Sequence, residues 1–207
     1  MLIKAKSTFL LIFLLIQVGF SQEENNEMKK FLFKLKINEL APISANLEYE
    51  WNNGKKDTGQ LSLTFHTIKM KKKFLNRGFK KVKEINSSKE LNPSNELQKT
   101  FLKRSLLTLC QNEEDMSGMH SDGVYFHLQI ERIDNNGEQK CFVLVDRSIT
   151  SEKDNRLGEI LNRILDQIQY SKLEEEFKET LKRGYYYNNG NHLWKKDEKF
   201  LGNDSKY

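Results

Sequence analysis

The chain has 207 residues, 37% of them hydrophobic and 30% charged, with a formal charge of +5. Thirteen Phe and seven Tyr supply large core-forming side chains, which excludes the composition of a disordered chain. The small charge excess, spread over a Lys-rich chain, does not by itself argue for nucleic acid as a partner.

Residues 1–22 read MLIKAKSTFLLIFLLIQVGFSQ. Lys4 and Lys6 form a basic start, Phe9 to Ile16 is an unbroken apolar run, and Gly19 and Ser21 are the small residues that a signal peptidase reads. This pattern predicts a cleavable export signal over residues 1–21. The apolar run is shorter than the roughly 20 residues a membrane-spanning helix needs. A mature chain starting at Gln22 or Glu23 carries +3 and no transmembrane segment. Its length suits one domain with an ordinary core.

After a polar leader, Lys30–Asn38 alternates, with Phe31, Phe33, Leu35 and Ile37 on one side and Lys30, Lys34 and Lys36 on the other. This is the period of a half-buried strand. Leu47, Tyr49 and Trp51 alternate with Glu48 and Glu50, and Leu61, Leu63 and Phe65 alternate with Ser62, Thr64 and His66. The Asn52-Asn53-Gly54 between them predicts a hairpin. The basic stretch Lys69–Lys83, which contains Phe74 and Phe79, shows no clear period, and Ser87–Asn95 reads as a polar loop. Asn92-Pro93 opens a predicted helix that runs to about Cys110, with Leu102, Leu106, Leu109 and Cys110 on one face and Phe101 at its edge.

Gln111–Gly123 is an acidic loop. Val124, Phe126, Leu128 and Ile130 then alternate with Tyr125, His127, Gln129 and Glu131, and Asp134-Asn135-Asn136-Gly137 turns the chain. Cys141–Val145 is apolar on both faces, the pattern of a central strand covered on both sides. Leu157, Ile160, Leu161, Ile164, Leu165 and Ile168 form the apolar stripe of a helix over about 151–169. Ser171-Lys172-Leu173-Glu174 has capping-box spacing and restarts a helix that Gly184 ends. The aromatic and polar tail at 185–207 offers either a last hairpin around Asn189-Gly190 or a loosely ordered end.

The order βββ-α-ββ-α-α argues for the α+β class. The expectation is an antiparallel sheet of about five strands with two or three helices packed on one face. It forms one domain over residues 22–184, followed by the tail.

Most of the motifs that mark catalytic, metal or phosphate sites are missing from the sequence. There is no G-x-S-x-G elbow, no H-E-x-x-H, no Cys-x-x-Cys and no Gly-rich phosphate loop, so no cofactor, metal ligand set or catalytic residue is indicated. Glu113-Glu114-Asp115 and His120-Ser121-Asp122 share one loop, but their spacing matches no calcium loop. His66 and His127 lie on polar strand faces, where two rings alone make a weak site. Cys110 and Cys141 are the only cysteines. Export allows a disulfide between them, closing a loop of about 30 residues worth roughly 3–4 kcal/mol. The alternative is two buried thiols.

Two stretches suit contact with a partner. The first is the basic run with Lys71, Lys72, Lys73, Lys80 and Lys81, which fits an anionic surface such as lipid headgroups, acidic glycan or acidic protein. The second is Tyr185, Tyr186, Tyr187 and Trp194, residue types that bring large area and a polar tip to interfaces. The leading expectation is a secreted or periplasmic, non-enzymatic domain that binds a protein or envelope component. A small secreted hydrolase, with acids and histidines meeting only in three dimensions, is the first rival. An inhibitor-like or immunity-like protein acting through the Gln111–Gly123 loop is the second.

Overall fold

The computed structural model describes residues 28–38, 41–53, 59–73, 78–110, 125–146, 152–188 and 193–197. The export pattern at residues 1–22, the Gln111–Gly123 loop and Asn189-Gly190 lie outside them.

The elements in chain order are β1 (Lys30–Ile37), β2 (Ser44–Asn52), β3 (Gln60–Lys72), β4 (Phe79–Leu91), α1 (Asn95–Leu102), α2 (Arg104–Cys110), β5 (Tyr125–Asp134), β6 (Gly137–Asp146), α3 (Glu152–Gln167), α4 (Tyr170–Thr180), β7 (Gly184–Tyr187) and β8 (Trp194–Lys196). All eight strands join one antiparallel sheet in the order β6-β5-β1-β2-β3-β7-β8, with β4 paired to β3 outside that path.

This overturns the expected five-stranded sheet with helices on one face: the molecule is mostly sheet, with four short helices among the described residues. Three strands account for the difference. β4 spans the stretch read as a basic segment and a polar loop. It is paired on one edge and exposed at nearly every position, so no apolar side alternates to mark it. β7 and β8 are four and three residues long, too short to show a period. The apolar Cys141–Val145 run is a further correction. It lies in β6, an edge strand whose Phe142 is 60% exposed, not a central strand.

The helical elements also differ in detail. The helix expected from Asn92 is two helices, because Lys103 adopts an extended conformation with ψ 128°. Ser94 caps the first, its Oγ accepting from the Leu97 amide at 3.2 Å. α4 begins at Tyr170 after Gln169, which sits at φ 55°, so Ser171 is already inside the helix and the capping-box spacing is not used as such.

Cross-strand registers set which side chains share a face. Phe31, Phe33, Leu35 and Ile37 of β1 stand beside Tyr49, Leu47 and Ala45 of β2 and Ile130, Leu128 and Phe126 of β5. All are buried with Leu61, Leu63 and Phe65 of β3. The helices complete this core with Phe101, Leu157, Leu161, Ile164 and Phe177. Two stacked ring pairs join the layers: Tyr49 with Phe101 at 4.5 Å and Phe65 with Phe177 at 5.1 Å. Such pairs contribute roughly 0.5–1.5 kcal/mol beyond the area they bury. The opposite face carries Lys30, Lys34, Glu48, Glu50, Gln60 and Thr64 and is open to water, as one face of an antiparallel sheet commonly is.

Burial raises the pKa of two core tyrosines, Tyr186 and, more strongly, Tyr49. A Cβ on Gly59 would overlap the Tyr49 ring, so glycine alone leaves room for it there. Its buried hydroxyl has no hydrogen-bond partner among the described residues, and burial pushes its pKa up from 10.0 to about 12. The folded state therefore resists an ionisation that the unfolded chain undergoes near pH 10. Stability is full below that pH and falls as pH rises toward 12, by about 2 kcal/mol. Tyr49→Phe should remove this alkaline loss. It should also raise stability by about 1 kcal/mol at neutral pH, since an unsatisfied hydroxyl leaves the core. Urea unfolding at pH 7 and at pH 11 reads both effects, and a destabilised variant at pH 7 would mean that the hydroxyl is hydrogen-bonded in the folded state.

Candidate interaction surface

Strand β3 decides where the two contact stretches lie. One edge of β3 pairs with β4 from Leu61↔Leu91 to Lys72↔Phe79. The other edge is divided: β2 pairs with its first half, up to Ser44↔His66, and β7 with its second, at Ile68↔Tyr187, Lys69↔Tyr186 and Met70↔Tyr185. The basic run and the terminal aromatics, far apart in sequence, thus become neighbouring strands.

Alternation then sorts the side chains. Met70 lies between Lys81 and Tyr185, Lys72 lies opposite Phe79, and all share the open face with Ile68 and Tyr187. The Phe79 and Tyr185 rings meet across β3 with centroids 4.9 Å apart. Lys69, Lys71, Lys80 and Lys83 take the other face. The ladder shifts between Lys69 and Met70, which leaves Val82 as the extra residue of a β-bulge, 51% exposed. Lys73 follows β3, its amide donating to the Gly78 carbonyl at 3.0 Å while its side chain is exposed.

Two of the expected contact residues serve the fold instead. Tyr186 points to the core face, is fully buried, and its hydroxyl donates to the Lys182 carbonyl. Trp194, half-buried, packs on Tyr186 with ring centroids 5.5 Å apart. Beside them the Lys196 ammonium donates to the carbonyls of Lys178 and Glu179 at the end of α4. A cation there satisfies exposed carbonyls and complements the helix dipole. Tyr185 and Tyr187, half-exposed, are the aromatics left for a partner.

The electrostatics are lopsided. Residues 69–84 hold eight basic side chains and one acid, Glu84, an excess larger than the +5 of the whole chain. The remainder is therefore net acidic. Glu84 hydrogen-bonds Lys81, and that bond and charge hold its carboxyl below the usual range. On β8, Lys195 pairs with Asp197 at 2.7 Å. The other lysines of the hairpin end, Lys71, Lys72, Lys73 and Lys80, are all exposed. The basic run is visible in the sequence itself, and set against the whole-chain charge it leaves the other residues with a net negative balance.

The other candidates come apart. β1 and β2 separate His66 on β3 from His127 on β5. His66 hydrogen-bonds Asn86 at 2.6 Å. His127 lines a shallow depression of about 250 Å³ with Lys34, Lys36, Asn46, Glu48 and Gln129. Glu113, His120 and Asp122 lie outside the described residues. Among the described residues no group of three or more His, Cys, Asp or Glu is placed to hold a metal ion, and no helix is long and apolar enough to cross a membrane. Cys141 is buried on the core face of β6, and α2, which ends at Cys110, packs against that strand.

Comparison with protein-family models, with curated proteins and with solved structures finds no match.

The division of the aromatics is testable by stability. Tyr186→Ala should cost roughly 3–5 kcal/mol, the range for a fully buried aromatic. Tyr185→Ala should cost less than about 1.5 kcal/mol, the worth of its contact with Phe79. Equal losses in denaturant titration would remove the distinction between anchor and surface residue.

Proposed function

We propose that the chain is a non-enzymatic binding module, exported to the periplasm or beyond, whose contact surface is the corner formed by the ends of β3, β4 and β7. The observation that carries this reading is the β3–β7 pairing with the Phe79–Tyr185 contact. It assembles Lys72, Lys81, Met70, Tyr185 and Tyr187 on one open face. A half-exposed aromatic and apolar group rimmed by cations supplies desolvated area together with long-range attraction for an anionic partner. The export pattern at residues 1–21 supports the compartment.

Retention on immobilised polyglutamate, a featureless anionic surface, tests the location. The unaltered chain should elute at higher salt than Lys72→Glu/Lys81→Glu. The same charge change placed mid-sheet, Lys34→Glu/Lys36→Glu, should shift elution far less. Equal shifts for both pairs would mean that net charge, not this corner, governs binding.

The same compartment supports a disulfide between Cys110 and Cys141, which we also propose. The packing of α2 on β6 places the two chain segments side by side, and Cys141 faces the helix layer. Peptide mass mapping without reductant should find the two linked. Reduction should cost about 3 kcal/mol of stability on the chain-entropy model. Alkylation of both thiols in the unreduced, unfolded chain would exclude the bridge.

A further inference from the structure

We propose that the partner of this corner is an anionic phospholipid bilayer, met end-on by the β3–β4 hairpin; this rests on the reading of the corner as the contact surface. Three features favour a headgroup layer over a folded acidic protein.

The first is the kind of cation. Seven of the eight basic residues between 69 and 83 are lysine, the exception being Arg77. Lysine is a compact point charge without the planar fork by which arginine grips a single carboxylate or phosphate. A dense group of lysines suits an extended charged surface, to which each adds a similar increment.

The second is placement. β2 leaves β3 at His66 and β7 covers only Ile68 to Met70, so Lys71–Lys72 and Phe79–Lys80 form a two-stranded end. Lys71 and Lys80 occupy one face of that end and Lys72 the other, with Lys81 next along it. A protein docking against the open face would meet only half of these charges. A layer of mobile headgroups surrounding the end meets them all.

The third is the apolar part. Val82 stands 51% exposed at the bulge, and Phe79, Tyr185 and Tyr187 are half-exposed on the open face. Amphipathic rings and single aliphatic groups among lysines are the composition of interfacial membrane contact. The net acidic remainder of the chain is repelled by the same surface, which holds the hairpin end toward it. The neighbouring acids, Glu84 and Asp197, are each engaged by a lysine, Lys81 and Lys195.

Co-sedimentation of the full chain with vesicles tests this, using phosphatidylcholine alone and phosphatidylcholine with about one third phosphatidylglycerol. The apolar stretch at residues 9–16 is common to all variants, so differences between variants carry the result. Partitioning onto anionic vesicles should fall at least tenfold in Lys72→Glu/Lys81→Glu, on the basis of roughly fivefold per lysine at an anionic surface. It should change less than threefold in Lys34→Glu/Lys36→Glu. Val82→Asp should lower it severalfold even at high salt, where a purely electrostatic contact is already screened. Circular dichroism melts confirm folding, and Lys71→Gln/Lys80→Gln replaces the reversal pair if that pair does not fold. Equal partitioning of the unaltered chain and the corner variants overturns the inference. If polyglutamate retention still depends on the corner in that case, the partner is an acidic macromolecule and the binding-module reading stands. If it does not, both readings fall.

Discussion

Strand β3 is hydrogen-bonded on both edges, and its two edges are used differently. One runs unbroken along β4, while the other is shared between β2 and β7. The first half of the strand therefore sits inside the main sheet and buries Leu61, Leu63 and Phe65. The second half leaves that core and becomes the floor of a corner to which the chain's C-terminal strands return. Shortening β3 after His66 would keep most of the hydrophobic core and remove every contact between the lysine run and the terminal tyrosines.

The return of β7 is fixed by a small set of interactions on the core face. Tyr186 is buried and donates to Lys182, Trp194 packs on it, and Lys196 holds the end of α4. Because neighbours along a strand point to opposite faces, anchoring Tyr186 inward sends Tyr185 and Tyr187 outward. One buried ring thereby positions two partly exposed ones. The same alternation places lysines on both sides of the hairpin end.

Legibility in the sequence followed burial. β1, β2, β3 and β5 each hide one face, so Phe31–Ile37, Leu47–Trp51, Leu61–Phe65 and Phe126–Ile130 alternate in plain view. The stripe from Leu157 to Ile168 marked α3 for the same reason. β4 is exposed at nearly every position, and its apolar residues Phe79, Val82, Ile85 and Leu91 fall three or six apart and not at alternate positions, so its strand character comes from pairing with β3 and not from a period of its own. Cys141–Val145 misled in the opposite sense, since an apolar run does not say how many sides are covered. The candidate surface was legible as two separate stretches. Their union depends on a β3–β7 contact more than 110 residues apart in sequence, which no local pattern encodes. Tyr186 and Trp194 looked like their neighbours because residue type alone does not reveal which side of a short strand a ring occupies.

The edge strand β4 has one further property. Along its thirteen residues, the backbone groups that do not face β3 have no strand beside them among the described residues. A long unpaired edge is a template onto which another chain can add a strand, the first step of sheet-to-sheet aggregation. Here the edge is studded with Lys80, Lys81, Lys83 and Lys89, and the bulge at Val82 breaks its regular spacing. A second copy approaching in register would bring lysine against lysine and meet a ladder that is out of step. Like charges of this kind oppose strand addition at an exposed edge, and replacing the lysines wholesale would leave that edge more open to it.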